Sequence, residues 1–454
     1  MRIVIVGAGE VGYTVSGQMA REGHDVTVIE LDPLRAEKVE SELDVMVIRG
    51  NGARPQVLEQ AGVTKKSPVD LMIACTEKDE ANLLACWIGK KNGARKLISR
   101  ARNLEFTDSE SWARELGIDL LISPERSVAR EIEELLAVSS ALRTVEIAGG
   151  RAGVYVFRVA EKAPLAGLSL KEFRKRYPEL VSIIVFVERG SSGFLPGGDT
   201  VLEPGDLCYA VTFRNQVWKL EELFGPPKRR KALRRVLVVG GGKIGFQVVQ
   251  RLEQHHKNLD IRLIDKDGEK CERLARELGH SIVICGDAAD KDLLNYEGVS
   301  GADGFVTTTA SDESNIVLGI LGKSLGVGKS IAVVRRKAFM QMEKHLPVDA
   351  LVNPHLSLAS AIMQQMRFPR SRGHLSLLDN IGAEMIEGVL PQECPALGGP
   401  IMSLGLPQGI IIALVERGKH IFVPWGDAEL MAGDRVILFA ASDLMSEAVD
   451  LLGV

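Results

Sequence analysis

Short unbroken apolar runs alternate with amphipathic stretches from the start of the chain. In its first part the runs are Ile3–Val6, Val26–Ile29, Val45–Ile48, Leu71–Cys75, Leu97–Ser99 and Leu120–Ile122. Between the first two, Val11, Val15 and Met19 recur at helical spacing. Strands alternating with helices predict right-handed crossovers and a parallel, doubly wound α/β sheet. The pattern then changes. Residues from about 140 to 225, and again from about 373 to 454, are shorter and strand-rich. There Val181–Val187 and Ile410–Val415 read as buried strands. Each is followed by Glu-Arg-Gly, a strand ending in Pro-x-Gly-Asp, and a Gly-Asp turn.

The whole pattern is written twice. Residues 3–12, IVIVGAGEVG, match 236–245, VLVVGGGKIG, at an offset of 233. The stretch from Asp70 to Asn82 matches Asp303 to Asn315 at the same offset, and Asp119–Pro124 matches Asp349–Pro354 at an offset of 230. The repeat runs on through Phe186–Gly190 against Leu414–Gly418 and Phe194–Asp199 against Phe422–Asp427. The chain is therefore expected to hold four modules: 1–137 and 233–366 as Rossmann-like sheets, 138–227 and 367–454 as small α+β modules. The junction falls near Gly225–Arg235, where two prolines and six basic residues stand together. Such a run is a solvated linker or a basic strip facing phosphates or a membrane.

Composition narrows the function classes. The chain has 454 residues, with 60 acidic and 56 basic, for a net charge of -4. That balance supplies no global basic field and argues against nucleic acid as a bulk partner. Aromatics are only 5%, while glycines number 46. This suits tight strand-to-helix turns better than aromatic-lined platforms. No apolar run reaches the roughly 18 residues a bilayer span requires. The chain opens directly on the strand-like Met1–Val6, so no signal peptide is expected. Cysteines at 75, 86, 208, 271, 285 and 394 lack CxxC or metal-like spacing and read as reduced core residues of a cytosolic protein.

The chemistry sits in the glycine loops. Gly7-Ala8-Gly9-Glu10-Val11-Gly12 follows a predicted strand at once and opens a helix. The first glycine permits the turn, the second lets a pyrophosphate approach, and the third lets helix and strand pack. Free N–H groups at the helix start then hold phosphate. Glu30 ends the second strand, where a carboxylate accepts from ribose hydroxyls and repels a 2'-phosphate. NAD(H) or an adenine nucleotide is thus favoured over NADP. The second half repeats the motif with Gly240-Gly241-Gly242-Lys243-Ile244-Gly245 and Asp265. Asn51 and Asp287 follow the third strand of each half and either reach an adenosine or form turns. Thr76 and Thr309 follow the fourth strand, each with an Asp three residues on. That spacing is a helix cap, at a sheet edge where ligands also bind. Arg100 ends the fifth strand and is placed to pair with a phosphate. Its equivalent is Val333, so the two clefts are not equal, while Arg102 and Arg335 match and read as surface ion pairs. Asp199, Asp206, Asp427 and Asp434 form turns or a cation site. No nucleophile with a base stands out, no histidine recurs at an equivalent place, and His255-His256 read as solvated at a helix end.

With these residues in view, the chain resembles the tandem RCK (KTN-fold) family of nucleotide-binding regulators, that of the bacterial Trk potassium uptake system. The likeness covers essentially the whole length. It rests on GAGEVG, Glu30, GNGARP at 50–55, T-x-x-D-E-x-N at 76–82, the second GGGKIG and the tandem order of modules. It implies RCK N- and C-domains, written twice, with no catalytic residue and no metal. It implies NAD(H) as ligand, with ATP or ADP as further candidates, contacting the glycine loop, the acidic residue after the second strand, Thr76, Glu77 and Arg100. It further implies a ring of eight N-domains built from a homotetramer. That ring would dock on the cytoplasmic face of a TrkH-like membrane potassium channel subunit and gate its flow. Val333 in place of an arginine, and Asn51 against Asp287, put equal ligand use by the halves in question. Two rivals remain: an NAD-dependent oxidoreductase with an unrecognised substrate, and a scaffold whose Rossmann modules only dimerise.

Overall fold

The computed structural model describes residues 1–454 apart from 22, 104–105, 107–109, 139, 191, 226–232, 367–372, 376–382, 408, 442–443 and 454. Most of the junction between the halves lies outside the described residues. The chain forms two compact units, each drawn from both halves: Met1–Glu133 with Arg234–Met366, and Glu134–Leu233 with Arg367–Val454.

Strands β1 (Arg2–Val6), β2 (Asp25–Glu30), β3 (Met46–Arg49), β4 (Leu71–Ala74), β5 (Lys96–Arg100) and β6 (Leu120–Ile122) form a six-stranded sheet of order β3-β2-β1-β4-β5-β6. All its pairings are parallel. Helices α1 (Glu10–Arg21), α2 (Pro33–Glu42), α3 (Pro55–Gln60), α4 (Asp79–Lys91), α5 (Glu110–Glu115) and α6 (Pro124–Ala137) accompany them. Alternate residues of β1 feed opposite faces. Ile3 and Ile5 pack with Val11, Val15 and Met19 of α1, while Val4 and Val6 pack with Leu58, Ala85 and Cys86. Cover on both faces is why the strands read as unbroken apolar runs. Chain order reverses beside β1, and the crevice at a reversal opens at the carboxyl ends of β1 and β4.

The first small module has an antiparallel sheet of β7 (Ala141–Ile147), β8 (Ala152–Arg158), β9 (Ser182–Arg189), β10 (Ser192–Phe194) and β11 (Leu207–Phe213), with α7 (Leu170–Arg176) and α8 (Val217–Phe224). The second half repeats both. Strands β12 (Arg235–Val239), β13 (Asp260–Asp265), β14 (Ile282–Cys285), β15 (Gly304–Thr307), β16 (Lys329–Val333) and β17 (Ala350–Val352) take the order β14-β13-β12-β15-β16-β17. Their helices are α9 (Lys243–His255), α10 (Gly268–Glu277), α11 (Lys291–Tyr296), α12 (Asp312–Ser324), α13 (Lys337–Gln341) and α14 (Pro354–Met366). A last antiparallel sheet holds β18 (Gly373–Leu375), β19 (Ala383–Val389), β20 (Ile410–Arg417), β21 (His420–Phe422) and β22 (Arg435–Ala441), followed by α15 (Met445–Leu452). The fold is two Rossmann-like parallel sheets, each followed by a small antiparallel α+β module.

The repeats lock together inside each unit. In the first, Leu358, Ala359 and Ile362 of α14 enter the same core as Val11, Val15 and Met19, so the last helix of the second Rossmann module completes the core of the first. Opposite it, Glu133 of α6 accepts from Arg251 Nε at 2.6 Å and meets His255 Nδ1 at 2.7 Å and His256 Nε2 at 3.1 Å. These histidines are thus not merely solvated: they bind the partially buried Glu133. In the second unit, Val156, Phe186 and Tyr209 share one core with Met385, Leu414 and Phe439.

The aspartates of the small modules serve structure. Arg189 holds Asp206 with two 2.8 Å bonds, and Arg417 holds Asp434 at 2.8 and 2.7 Å. The repeated Glu-Arg-Gly therefore supplies the arginine that neutralises the buried aspartate of the Gly-Asp turn. Asp199 pairs with Lys171 at the surface. Five cysteines are buried as expected, but Cys285 is exposed at the end of β14, which corrects its reading as a core residue.

Candidate functional site

The glycine loops realise three different physical demands. Gly7 and Gly240 turn the chain in the left-handed region, at φ +101° and +98°. Their amides donate back to Ile29 O and Ile264 O, both at 2.8 Å. A Cβ on Gly12 would lie 1.8 Å from Gly7 O, and one on Gly245 would lie 1.9 Å from Gly240 O. These glycines are required by packing between loop and helix. The middle glycines differ. A Cβ on Gly9 would meet only Arg35 Nη1, at 3.8 Å, and one on Gly242 would meet nothing within 4 Å. The backbone there is open to an approaching group, which is the cradle a phosphate needs.

The helix starts supply the donors. The first bonds of α1 and α9 run from Tyr13 N to Gly9 O at 2.8 Å and from Phe246 N to Gly242 O at 2.9 Å. The amides of Glu10, Val11 and Gly12, and of Lys243, Ile244 and Gly245, precede any helical acceptor and carry the positive end of the dipole. Ala8 and Val11 are buried, while Glu10 and Lys243 are exposed, so the two helix starts carry opposite side-chain charge.

The acidic residues after the second strands brace the loops. Glu30 Oε2 accepts from Ala8 N at 2.5 Å, and Oε1 accepts from Leu31 N and Asp32 N at 2.8 Å. Asp265 does likewise with Gly241 N at 2.7 Å and Asp267 N at 3.0 Å, and Lys270 Nζ adds an ion pair at 3.1 Å. Burial pushes the Asp265 carboxyl up, but these amides and Lys270 outweigh it and hold it below the usual aspartate range. The position that matches Lys270 in the first half is Arg35, which instead reaches Glu77 at 3.9 Å across the loop. The expected ribose contact is thus also a structural brace.

Asn51 and Asp287 are exposed and make the same turn, accepting from Ala53 N and Ala289 N at 2.9 Å. The helix-cap reading of Thr76 and Thr309 is corrected. The residue preceding α4 is Lys78, without a side-chain cap, and that preceding α12 is Ser311, which accepts from Ser314 N. The threonines instead bind Asn82 and Asn315. Asn82 Oδ1 accepts from Thr76 N at 2.9 Å and Thr76 Oγ1 at 2.6 Å, and its Nδ2 donates to Thr76 O and Arg100 O. Asn315 repeats all four bonds with Thr309 and Val333 O. Nor do Asp79 and Asp312 act as partners of a cap. Their Oδ2 atoms accept from the amides of Arg102 and Asn103, and of Arg335 and Arg336.

Arg100 is buried at the carboxyl edge of the first sheet. Its Nη1 donates to Thr76 O at 3.0 Å, and its Nε has no partner among the described residues. Burial, and then the neighbouring Arg102, lowers its pKa. A dehydrated cation with an unfilled donor at this edge fits an anionic ligand. The second half does not lack this cation. Arg335 Nη2 reaches Thr309 O at 3.2 Å, the carbonyl equivalent to that served by Arg100. Arg335 also pairs with Asp312 at 3.2 Å, whereas its match Arg102 pairs with Glu125 at 3.1 Å. Asn82, Asn315 and Arg335 are thus the residues that sequence reasoning left outside the site. Their recurrence at an offset of 233 was the available signal.

A tandem of open glycine loops on doubly wound sheets, each followed by an antiparallel α+β module, defines a duplicated Rossmann-type architecture. The TrkA-N domain family matches residues 3–124 and 236–354, and the TrkA-C domain family matches 154–225 and 385–453. The chain belongs to the TrkA family of Trk system potassium uptake proteins. It is 34% identical, over 98% of its length and 98% of the relative, to the Trk system potassium uptake protein TrkA homolog of Archaeoglobus fulgidus. It is 31% identical, over 100% of its length and 99% of the relative, to the TrkA protein of Azorhizobium caulinodans. Among solved structures, the GsuK channel bound to NAD shares the fold at a TM-score of 0.57 and 20% identity, covering 100% of this chain and 79% of that one. The GsuK RCK domain does so at 0.56 and 19%, covering 100% and 95%.

Proposed function

We propose that this chain is the nucleotide-binding regulatory subunit of a potassium uptake system, whose output is ligand occupancy and not chemistry. The observation that carries this reading is the pair of open glycines, Gly9 and Gly242, each at a helix start, beside Gly7 and Gly240, which pack against the threonines whose carbonyls Arg100 and Arg335 hold. In this reading Gly7–Gly12 and Gly240–Gly245 hold the phosphates. Glu30 and Asp265 face the ribose, Arg100 and Arg335 supply charge, and Thr76, Glu77, Thr309, Asn51 and Asp287 line the clefts. NAD(H) is the principal ligand, with ATP and ADP as competitors, because the Glu30 carboxylate disfavours a 2'-phosphate.

The membrane partner is a TrkH-like potassium channel subunit. Four copies of the chain form a ring of eight N-domains on its cytoplasmic face. Among the described residues no helix is long and apolar enough to cross a membrane, which suits a peripheral subunit. A ligand shifts the ring only by contacting its two shapes differently. A coupling of about 1–3 kcal/mol changes the open fraction several-fold to a hundredfold.

Thermal melting with NADH, NADPH, ATP and ADP tests the binding. A ligand that binds only the folded chain stabilises it by about 2.7 kcal/mol at a hundredfold excess over Kd. NADH is expected to raise the melting point more than NADPH, while its absorbance stays constant. Steady loss of reduced nicotinamide with a small substrate would instead establish the oxidoreductase. No shift with any nucleotide would leave the scaffold.

A further inference from the structure

Three residues meet at the floor of the second cleft. Asp265 ends β13 and lies in register with Cys285 at the end of β14. Cys271, in the first turns of α10, reaches the main-chain oxygen of Asp265 with its thiol at 3.2 Å. The Cys271 thiol also lies 3.8 Å from the main-chain oxygen of Ile284, the residue before Cys285, so the two cysteines face each other between β14 and α10. Cys285 is exposed and Cys271 is buried, so one thiol meets solutes and the other waits behind it. A Cβ on Gly268 would come within 3.9 Å of Cys285 Sγ, which places that thiol against the start of the same helix. The first half has Ala36 and Arg49 at the matching positions, so the pair is peculiar to the second cleft.

We propose that Cys271 and Cys285 are a reversible dithiol–disulfide modification site built into the second glycine-loop module. The oxidant is a small disulfide or a peroxide. With a disulfide, the Cys285 thiolate attacks one sulfur and expels the first thiol as its thiolate. The Cys271 sulfur then attacks Cys285, releases the second thiol, and gives up its proton to that leaving group. Two protein thiols and one small disulfide become one protein disulfide and two small thiols. With a peroxide, the Cys285 thiolate attacks one oxygen, the O–O bond breaks and the other oxygen leaves as hydroxide, giving a sulfenic acid; Cys271 then attacks that sulfur and, with its proton, releases the hydroxyl as water. Burial, the neighbouring Cys285 thiol and the Asp265 carboxylate push the Cys271 thiol up to about 11, which leaves the exposed Cys285 as the first attacker.

Closure has a local consequence. The bond from the Cys271 thiol to Asp265 O is lost when the sulfur loses its hydrogen. Asp265 holds the amide of Gly241, and Lys270, next to Cys271, holds Asp265. The redox state is therefore read at the second glycine loop and not at the first.

Full-length chain is treated with oxidised glutathione or hydrogen peroxide, digested without reduction and mapped by mass spectrometry. The expected result is one linked peptide pair joining Cys271 to Cys285, lighter by the two hydrogens lost and released by dithiothreitol. In C271S, Cys285 is expected to carry a persistent glutathione. A wild-type chain that keeps glutathione on Cys285 without forming the link would overturn the proposal. Hydrogen exchange of the oxidised chain, with no nucleotide present, is expected to change at Gly240–Gly245 and to stay constant at Gly7–Gly12. Unchanged exchange at both loops in the linked chain would overturn the coupling. Neither readout depends on nucleotide binding, so failure here is distinct from failure of the regulatory reading.

Discussion

Arg335 and Thr309 stand to each other as Arg100 stands to Thr76, although the arginines come from different positions of their loops. Each guanidinium donates to the carbonyl of the threonine, at 3.2 and 3.0 Å. Val333, which replaces Arg100 in the repeat, is buried and leaves the task to the residue two further on. The second cleft thus regains a cation by a different route. R100M is expected to weaken nucleotide binding at the first cleft by about ten- to hundredfold, the worth of a charge-assisted bond. R335M should do the same at the second cleft alone, and titration calorimetry of the single and double variants separates the two.

Gly9 and Gly12 of the first loop predict opposite phenotypes. G12A sets a methyl group 1.8 Å from Gly7 O, and overpacking of this kind costs about 1–3 kcal/mol. The expected outcome is a lower urea midpoint together with lost binding. G9A meets only Arg35, at 3.8 Å, and is expected to keep its midpoint while losing affinity. Urea melts paired with NADH titrations check both; equal destabilisation by the two variants would count against the assigned roles.

Asn82 and Asn315 are fully buried, and each makes four hydrogen bonds that tie the end of one strand to the next. Replacing either by alanine leaves buried partners unsatisfied. The expected cost is about 2–3 kcal/mol in each half. Hydrogen exchange should localise the loosening to Thr76–Lys78 for N82A and to Thr309–Ser311 for N315A.

Asp265 titrates below the usual aspartate range because its amide and Lys270 bonds outweigh burial. A carboxyl depressed on folding contributes stability above its unfolded pKa of about 3.9 and loses it as pH falls through the folded value. Urea midpoints of the wild type are therefore expected to drop below about pH 4. D265N should start lower at neutral pH and show a shallower acid drop, since that carboxyl no longer titrates.

Much of this was legible in the residues. The apolar runs located all six strands of the first Rossmann sheet because both sheet faces are covered, and the duplicated glycine motifs located the two strand-to-helix turns. What escaped depends on contacts between distant positions. Thr76 carried the spacing of a cap, yet Asn82, six residues on, competes successfully for its amide and hydroxyl. Glu30 and Asp265 were read for a ligand, but their first partners are the loop amides, which no spacing rule announces. His255 and His256 looked solvated because Glu133 lies more than a hundred residues away in sequence. The swapped packing of α14 on α1 leaves no local sign either, since an apolar helix face does not state what it covers.

The claim beneath the rest is that nucleotide occupancy sets potassium flow. The direct measurement is potassium flux through vesicles holding the membrane partner and this chain, with NADH, ATP and ADP titrated in turn. The account predicts that flux changes several-fold at the nucleotide concentrations that saturate binding, and that G9D abolishes the response without unfolding the chain. Flux indifferent to every nucleotide that binds would contradict it.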